Sequence, residues 1–324
     1  MCITGKPSDA FATSSTTIPY MQNATVERDI RELDRRAHLF RASRLSKFCR
    51  MPRSLARSSI AQFMALRREE PMILTARTFW GDQMRVVLPE MVSFSIYRYG
   101  FFEEDLSHVL LKHLKPGQTF FDVGGHFGYF SLLASHVLGR GGAVHSFEPT
   151  RTTFEVLKHN TAQCANVKVN NVALHERSGV LRFHDFGLRF AAYNSLGTGR
   201  LGHDVQTPAP STEYDVKAMS LDEYLGQTRV KPDFIKIDAE NAELDILKGA
   251  REALTKYHPI ISTEAGDDES NPGRTRRVVD YLMQLSFWPY LFQNGRLIKH
   301  EPQETYDFAN LVFVAEDRID TLNT

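Results

Sequence analysis

The sequence predicts an α/β fold: a mostly parallel sheet with helices on both faces and a final antiparallel strand, preceded by an N-terminal helical extension. Short apolar runs alternate with amphipathic stretches of helical length along most of the chain, and this alternation is typical of parallel sheets. An apolar run at 119–123 leads into a glycine-rich turn at 124–128, and a later run ends in a lone carboxylate, Glu148. This pattern predicts a nucleoside-binding βαβ unit at the start of the sheet.

The N-terminal part of the chain is basic. Residues 1–22 are rich in Ser and Thr without the apolar core of a signal peptide, which predicts a frayed tail. Residues 35–68 contain ten Lys or Arg and no Asp or Glu, and they predict two or three short helices broken near Pro52. A solvated helix face is the favoured interpretation; docking of an acidic partner such as a carrier protein, and homodimerisation, are the alternatives. We place a boundary near residue 70, between a tail and helical extension (1–70) and a main domain (71–324).

The remaining elements follow from local patterns. Residues 72–96 predict a hairpin that leads into a helix, and the acidic residues at 103–105 open a helix through His113, because they favour the positive end of the helix dipole. Periodicity then predicts, in chain order, strand 119–123, helix 127–138, strand 143–147, helix 150–162, strands 167–173, 180–184 and 233–238, helix 242–255, strand 259–264, helix 274–285, and an antiparallel pair at 288–293 and 310–314. The irregular stretch 185–215 is long enough to indicate a lid or a mobile segment.

The glycine turn indicates which nucleoside binds. A dinucleotide site uses the pattern G-x-G-x-x-G so that a pyrophosphate can rest on the helix N-terminus. Asp122 occupies the first glycine position in this chain, and its charge would repel a pyrophosphate. S-adenosylmethionine carries no phosphate, and its ammonium and sulfonium groups favour negative charge nearby. We therefore predict S-adenosylmethionine as the cofactor, with Glu148 accepting hydrogen bonds from both ribose hydroxyls.

Six short motifs occur in a fixed order along the main domain. They lie at 122–134, 147–149, 171–174, 194–196, 220–225 and 235–250. In that order they resemble the FkbM-type methyltransferases, over roughly residues 95–315. The resemblance implies a class I methyltransferase fold with a Rossmann-like sheet, and an S-adenosylmethionine-dependent enzyme that acts on hydroxyl groups of natural products or sugars. The chain departs from the family pattern beside the predicted site, where Asn241 replaces a glycine and His126 replaces an asparagine.

The cofactor site is predicted from the turn, the strand ends and the resemblance. Phe147 and Pro149 flank the ribose carboxylate and are expected to enclose adenine, together with the end of the third strand. The resemblance adds Asn194 and Ser195 from the long irregular stretch. The predicted cofactor-binding residues are Glu104, Asp122, Gly124, Gly125, His126, Phe127, Gly128, Phe147, Glu148, Pro149, Asn171, Ala173, Asn194, Ser195 and Asp238.

Methyl transfer requires few catalytic groups. Because the sulfonium is already activated, the enzyme must exclude water, align the acceptor oxygen with the methyl carbon and sulfur, and remove one proton from a hydroxyl acceptor. The predicted catalytic residues are Asp238, Glu240, Glu264 and His126. Alternatively, a divalent cation that polarises the acceptor could be held by these three carboxylates and a histidine, but we assign no metal ligands. The acceptor is expected to be a small molecule or a carrier-tethered intermediate.

Composition disfavours several other classes of protein. The formal net charge is zero, from 39 basic and 39 acidic residues, and the basic region forms no recognised nucleic-acid-binding module. No apolar run approaches the roughly 18 residues of a membrane span. Cys2, Cys49 and Cys164 lie far apart, which predicts a reduced, cytoplasmic protein. Two other functions stay open: a nicotinamide-dependent oxidoreductase, which the missing first glycine disfavours, and a noncatalytic scaffold on a methyltransferase fold, which Asn241 supports.

Overall fold

The structure is a computed structural model that describes residues 17–193, 195–196, 212–239, 241–267 and 271–322. Its helices are α1 (Thr17–Arg41), α2 (Arg44–Arg50), α3 (Pro52–Leu66), α4 (Met91–Tyr99), α5 (Glu104–His113), α6 (Tyr129–Leu138), α7 (Arg151–Thr161), α8 (Leu221–Thr228), α9 (Glu243–Lys248), α10 (Arg251–Tyr257) and α11 (Arg274–Gln284). Its strands are β1 (Met72–Arg77), β2 (Gln83–Leu88), β3 (Thr119–Val123), β4 (Ala143–Phe147), β5 (Val167–Asn170), β6 (Ala173–Leu174), β7 (Gly179–Asp185), β8 (Ser195–Leu196), β9 (Thr212–Met219), β10 (Phe234–Ile237), β11 (Ile260–Ala265), β12 (Phe287–Gln293), β13 (Arg296–Lys299) and β14 (Ala309–Ala315). Short 3₁₀ helices lie at Leu188–Tyr193 and Glu316–Leu322.

An eight-stranded sheet forms the centre of the fold, in the spatial order β13-β12-β14-β11-β10-β3-β4-β5. The five strands from β11 to β5 run parallel to their neighbours. Strand β14 is antiparallel to β11, and β12 and β13 continue the sheet with antiparallel pairing. The predicted mostly parallel sheet and its final antiparallel strand are therefore confirmed.

Helices cover both faces of this sheet. Successive strand residues point to opposite faces, and Phe120 accordingly packs on the side of α4, α5 and α6, whereas Phe121 packs on the side of α8 to α11. Phe234 and Ile235 divide between the same two sides one strand away. Burial on both faces explains why β3 and β10 are continuous apolar runs rather than alternating ones.

The predicted strand at 167–173 is wrong as a single element. The structure divides it into β5, which joins the central sheet, and β6, which joins a separate four-stranded sheet in the order β6-β9-β7-β8. Asn171 lies between them, and its side-chain amide donates to the carbonyl oxygens of Glu148 (2.8 Å) and Pro149 (3.0 Å). These side-chain bonds hold the chain in a turn that strand periodicity does not reveal.

The predicted helix at 242–255 is two helices, α9 and α10. The helix is interrupted at Gly249, where an added Cβ would lie 2.2 Å from the carbonyl oxygen of His175. The Asp222 carboxylate then accepts from the backbone amides of Glu252 (2.9 Å) and Ala253 (2.8 Å), so it caps the start of α10 from a distant part of the chain.

Strand β9 and helix α8 were not predicted from the sequence pattern. Helix α8 does carry a start signal, because the Ser220 hydroxyl accepts from the Glu223 amide (3.1 Å), in the Ser-x-x-Glu pattern of a capping box. Strand β9 pairs with β7 from Thr212 to Ala218. It begins inside the irregular stretch predicted at 185–215, of which residues 194 and 197–211 lie outside the described ranges.

The basic N-terminal helices pack against the main core. The break predicted near Pro52 is confirmed, since α2 ends at Arg50 and α3 begins at Pro52. Leu33 and Ala37 of α1 are fully buried in the same apolar cluster as α5, and α1 begins at Thr17, within the predicted tail. The domain boundary near residue 70 stays a prediction. Across the described ranges, no helix combines the length and apolar character needed to cross a membrane.

Candidate active site

A cavity of about 260 Å³ opens at the carboxyl ends of β3, β4, β10 and β11. Parallel strands bring these ends to one edge of the sheet, where α/β proteins bind their ligands. Most of the lining is apolar, with a few carboxylates among aromatic and aliphatic side chains. The charged, histidine and glycine positions in the lining are Glu103, Gly124, Gly125, His126, Glu148, Lys236, Asp238 and Glu264.

The glycine turn follows β3 directly. The amides of Gly124 and Gly125 both donate to the carbonyl oxygen of Phe147, each at 3.0 Å, which ties the turn to the end of β4. Gly124 has a φ of +77°, and a Cβ there would lie 1.8 Å from the carbonyl oxygen of Asp238. The turn can therefore approach β10 only because residue 124 has no side chain.

We expect Gly124→Ala to destabilise the fold by about 3 kcal/mol, from the overlap with Asp238 and the left-handed backbone together. Gly117→Ala is the matched control, because Gly117 has a φ of +82° but open space around its Cβ position. The control should lose only about 1 kcal/mol, for the backbone conformation alone. Urea unfolding of both variants measures the difference, and equal losses would contradict a close approach at Gly124.

Glu148 follows β4 and enters the cavity with its carboxylate held by backbone amides. Oε2 accepts from the His126 amide (3.0 Å) and Oε1 from the Thr150 amide (2.9 Å). The residue is 6 % exposed. Burial raises the pKa of Glu148 to about 7, although the two amides oppose this shift. Each oxygen keeps a lone pair for a further donor, so the carboxylate is oriented in advance for a ligand with two hydroxyls.

His126 lies within the glycine turn at a φ of +48°. Burial lowers the pKa of His126 to about 4, so its imidazole is neutral at neutral pH. Its Nε2 is buried with no hydrogen-bond partner among the described residues. A buried ring nitrogen without a partner costs free energy unless a ligand supplies one.

Lys236 connects the two sides of the cavity floor. Its Nζ donates to the carbonyl oxygen of Gly124 (2.9 Å) and lies 3.2 Å from Asp238 Oδ2 and 3.5 Å from Asp122 Oδ1. Burial alone would lower the pKa of Lys236, but Asp238, Asp122 and Glu103 together raise it above its ordinary value. The side chain is therefore a compensated cation that joins β3 to β10.

Asp122 is fully buried and does not line the cavity. Its Oδ2 accepts from the Ser131 hydroxyl (2.6 Å), and burial raises the pKa of the carboxyl group. The structure therefore places this predicted cofactor residue behind the cavity lining, next to Lys236.

Glu103 precedes α5 with a φ of +41°, and it lines the same cavity close to Asp238. Its Oε2 accepts from the side-chain amide of Asn310 (3.1 Å). Burial, and then the charge of Asp238, raise the pKa of Glu103 to about 7. We call the part of the cavity where Asp238 follows β10, with Glu103 near it, the negative end; Glu148 follows β4, two strands away across β3.

Side-chain hydrogen bonds support the described residues that follow β10. Glu243 is buried, and its Oε1 accepts from the amides of Ala239 (3.4 Å) and Asn241 (3.2 Å). Arg274 donates to the side-chain oxygen of Asn241 (2.8 Å) and lies 3.4 Å from Glu243 Oε2. This network fixes the chain between β10 and α9, from which Asp238 faces the cavity.

Comparison with known proteins identifies the fold's family. The protein-family model of the methyltransferase FkbM domain matches residues 122–296 of this sequence. The chain belongs to the FkbM methyltransferase family. The central sheet described above, with its antiparallel C-terminal strand, is the class I methyltransferase sheet.

Two relatives resemble this FkbM-family chain over part of their length. The hexuronic acid methyltransferase AglP of Haloferax volcanii is 30% identical over 51% of this chain. The 31-O-demethyl-FK506 methyltransferase FkbM of Streptomyces tacrolimicus is 29% identical over 44% of this chain. The chain covers 64% of each relative's own length. A crystal structure of methyltransferase FkbM from Methylobacillus flagellatus is 18% identical, with a TM-score of 0.37, and the match covers 60% of this chain and 43% of that one.

The two departures from the FkbM pattern share a backbone reason. Asn241 has a φ of +78° and His126 a φ of +48°. Glycine adopts such conformations freely, and asparagine and histidine adopt them more readily than most other residues. Asn241 can therefore replace the usual glycine without changing the loop, and its side chain gains the bond to Arg274.

The structure brings most of the predicted site residues together. Those that line the cavity are Gly124, Gly125, His126, Phe127, Phe147, Glu148, Pro149, Ala173, Asp238 and Glu264. Gly128 starts α6 with a φ of +92° instead, and an added Cβ would lie 2.8 Å from Leu157. Asn171 braces the backbone around Glu148 from outside the lining. Asn194 and Glu240 lie outside the described residues, and only the backbone of Ser195 is described, in β8.

Glu104 lies outside the cavity lining, whereas its neighbour Glu103 is part of the lining. The Glu104 carboxylate pairs with Arg41 of α1. Sequence reasoning treated residues 103–105 as one acidic helix start, and it contained no signal that the left-handed backbone at Glu103 would turn that side chain inward. Lys236 was not among the predicted site residues. Its ion pair with Asp238, two residues further along the chain, follows from strand geometry, because alternate residues of a strand point to the same face.

Proposed function

We propose that this protein transfers the methyl group of S-adenosylmethionine to a hydroxyl group of a small-molecule acceptor. The observation that carries the proposal is one cavity lined by two separate groups of carboxylates: Glu148 follows β4, whereas Asp238 follows β10 with Glu103 near it, and β3 lies between these two strands. S-adenosylmethionine offers ribose hydroxyls to the first and an ammonium to the second. A nicotinamide dinucleotide would instead bring a pyrophosphate, which requires positive charge nearby. Among the described lining residues, Lys236 is the basic side chain that could supply it, but the charge of Lys236 is already compensated by neighbouring carboxylates.

The chain's own residues fit this cofactor. The glycine turn has no side chain at two crowded positions. A Cβ at Gly124 would meet the backbone of Asp238, and a Cβ at Gly125 would meet the Ser146 hydroxyl. Glu148 is held by two amides with acceptor capacity left over. His126 has an unpartnered buried nitrogen facing the same cavity. The bound cofactor would supply an activated methyl group, and these residues would bind and orient it.

The rest of the lining supports a site that excludes water. Aromatic and aliphatic side chains line the same cavity as the two groups of carboxylates, and they include Met91, Ile96, Phe102, Phe127, Phe130 and Phe183. Low polarity strengthens the attraction between a cationic ligand and the carboxylates. Alignment of the acceptor oxygen in a dry cavity is the main contribution that methyl transfer asks of the protein.

Glu264 and His126 are the groups we propose for proton removal from the acceptor hydroxyl. Glu264 lies in β11, opposite Asn310 in β14, and lines the cavity beside the negative end. The neutral imidazole of His126 can accept a proton through Nε2. Glu240, also predicted from the sequence, stays a candidate outside the described residues.

The names of the two relatives suggest an acceptor class. One relative is a hexuronic acid methyltransferase, and the other methylates a 31-O-demethyl natural product. Both names are compatible with a hydroxyl acceptor. We therefore propose O-methylation of a sugar or another polyhydroxylated natural product.

Turnover with a panel of hydroxylated acceptors tests the proposal. Purified protein is incubated with S-adenosylmethionine and sugar acids or macrolide alcohols, with and without magnesium, and S-adenosylhomocysteine is quantified together with the methylated product. The expected result is acceptor-dependent product bearing a new O-methyl group. Binding of S-adenosylhomocysteine without turnover on any acceptor would favour a noncatalytic scaffold, and no binding by folded protein would contradict the cofactor assignment itself.

Cofactor affinity should rise with pH through neutrality. Glu148 and Glu103 both have a pKa of about 7 in the ligand-free protein, and the ionised carboxylates are the forms that accept hydroxyl hydrogen bonds and attract an ammonium. Below pH 7 the binding constant should therefore fall by about tenfold per pH unit for each group that must ionise. Calorimetry with S-adenosylhomocysteine between pH 5.5 and 8 measures the slope, which Glu148→Gln should reduce. A flat profile would contradict ionisation of these groups on binding.

A further inference from the structure

Helices α2 and α3 turn large apolar side chains toward solvent. In α3 the buried residues are the small ones, Ser58, Ala61 and Ala65, whereas Ile60 is 60% exposed and Phe63 is 54% exposed. Helix α2 has no buried residue at all. A surface helix of a globular protein ordinarily buries its large apolar side chains, so α3 has the reverse arrangement.

Most of the strongly exposed large apolar side chains of the described chain belong to this region. Leu45 is 73% exposed and Phe48 is 65% exposed, and they lie three residues apart on α2. Phe40, Met64 and Leu66, which lie in the same stretch of the chain, are also exposed. We call residues 40–67 with these side chains the outer face. A concentration of exposed apolar side chains in one region of a domain marks an interaction surface.

The outer face is also strongly basic. Arg44, Lys47, Arg50, Arg53, Arg57 and Arg67 lie on it, and within the described residues none of them is within ion-pair distance of a carboxylate. The stretch 35–68 contains no acidic residue. Its basic residues are thus free to neutralise charge on a partner.

Basic and apolar groups are interleaved on the outer face. The Arg67 guanidinium lies 4.1 Å from the centre of the Phe63 ring, and Lys47 Nζ lies 5.7 Å from the Phe40 ring centre. The fully buried centre of a protein–protein interface is depleted of charged residues, although arginine is enriched in such interfaces as a whole. A bilayer surface accommodates the mixture, because apolar side chains enter below the headgroups while the basic groups extend to the phosphates.

We propose that the outer face binds the surface of a membrane containing anionic lipids. Its charge complements the headgroups, and its apolar side chains supply the inserted area. A second copy of this chain is a poorer occupant, because a two-fold interface would place the same unpaired basic residues against one another. An acidic protein partner complements the charge but does not account for the interleaving.

Vesicle flotation of the full chain tests this proposal. The protein is mixed with vesicles of phosphatidylcholine, or of phosphatidylcholine with phosphatidylglycerol, and the bound fraction is measured at low and high salt. We expect binding to the anionic vesicles only, weakened by salt. Arg44→Gln/Lys47→Gln/Arg50→Gln should lower the partition coefficient by on the order of 100-fold. Leu45→Ser/Phe48→Ser/Phe63→Ser should lower it by about tenfold or more.

Matched variants away from the outer face serve as controls. Arg177→Gln/Lys231→Gln/Arg296→Gln removes three exposed charges elsewhere, and Val180→Ser removes an apolar side chain that is 65% exposed. These proteins should bind like the wild type, and all variants should keep the wild-type circular dichroism and melting temperature, since every substituted side chain is at least partly exposed. Absence of binding to anionic vesicles, equal binding to neutral vesicles, or equal loss in the controls would overturn the proposal. So would sedimentation showing a dimer that Phe48→Ser dissociates, because a second copy would then occupy the face.

Discussion

Glu148→Ala is expected to weaken S-adenosylhomocysteine binding by at least about 100-fold. The substitution removes a carboxylate that can accept two ribose hydroxyls, and a hydrogen bond to a charged group contributes about 1.5–3 kcal/mol. It also leaves the buried amides of His126 and Thr150 without their acceptor. The glycine turn and the strand end that line the cavity would then lose a shared support. Calorimetric titration measures the change in Kd.

Two further variants separate the roles of the Glu148 charge and shape. Glu148→Gln keeps an acceptor oxygen for one of the two backbone amides but turns an NH2 donor toward the other, so it should lose less stability than Glu148→Ala and still lose much of the affinity. Glu155→Ala is the matched control, because Glu155 is an exposed carboxylate one turn into α7. Its affinity should be unchanged. If Glu148→Ala binds S-adenosylhomocysteine as the wild type does, the ribose does not lie at this carboxylate.

Lys236→Met should destabilise the fold by about 3–5 kcal/mol, the usual cost of removing one partner from a buried ion pair. Lys236 is 3% exposed and lies between Asp122 and Asp238. Without the ammonium, the fully buried Asp122 must either stay charged without a counter-ion or take up a proton. The backbone oxygen of Gly124 also loses its donor. Urea unfolding at constant pH measures the loss.

A second substitution shows whether charge is the cause. Asp122→Asn removes the buried carboxylate charge that has lost its counter-ion, and it keeps an acceptor for the Ser131 hydroxyl. The double variant Lys236→Met/Asp122→Asn should therefore be more stable than Lys236→Met alone. Lys231→Met is the control, since that lysine is 55% exposed and lies 3.8 Å from Asp233. It should change the free energy of unfolding by less than about 1 kcal/mol. Unchanged stability of Lys236→Met would show that the buried charges are solvated in another way.

The cavity edge was predictable because its main residues follow from strand order. Glu148 and Asp238 each come directly after an apolar strand, and the turn of Gly124 and Gly125 follows another. In parallel strands those positions meet at one edge whatever the connecting segments do. The elements that failed, at 167–173 and 242–255, depend on contacts that are distant in sequence, such as Asp222 capping α10.

By itself, the sequence determined the central sheet, the family and the position of Glu148 at the cavity edge, because these depend on periodicity and on motifs that occupy consecutive residues. Only the tertiary structure decided which acidic side chain enters the cavity. It turns Glu103 inward through a left-handed backbone and pairs Glu104 with Arg41. It likewise showed that Asp122 lies behind the site and that Lys236 compensates it. Side-chain direction and charge compensation depend on neighbours from other strands, and spacing along one chain does not encode them.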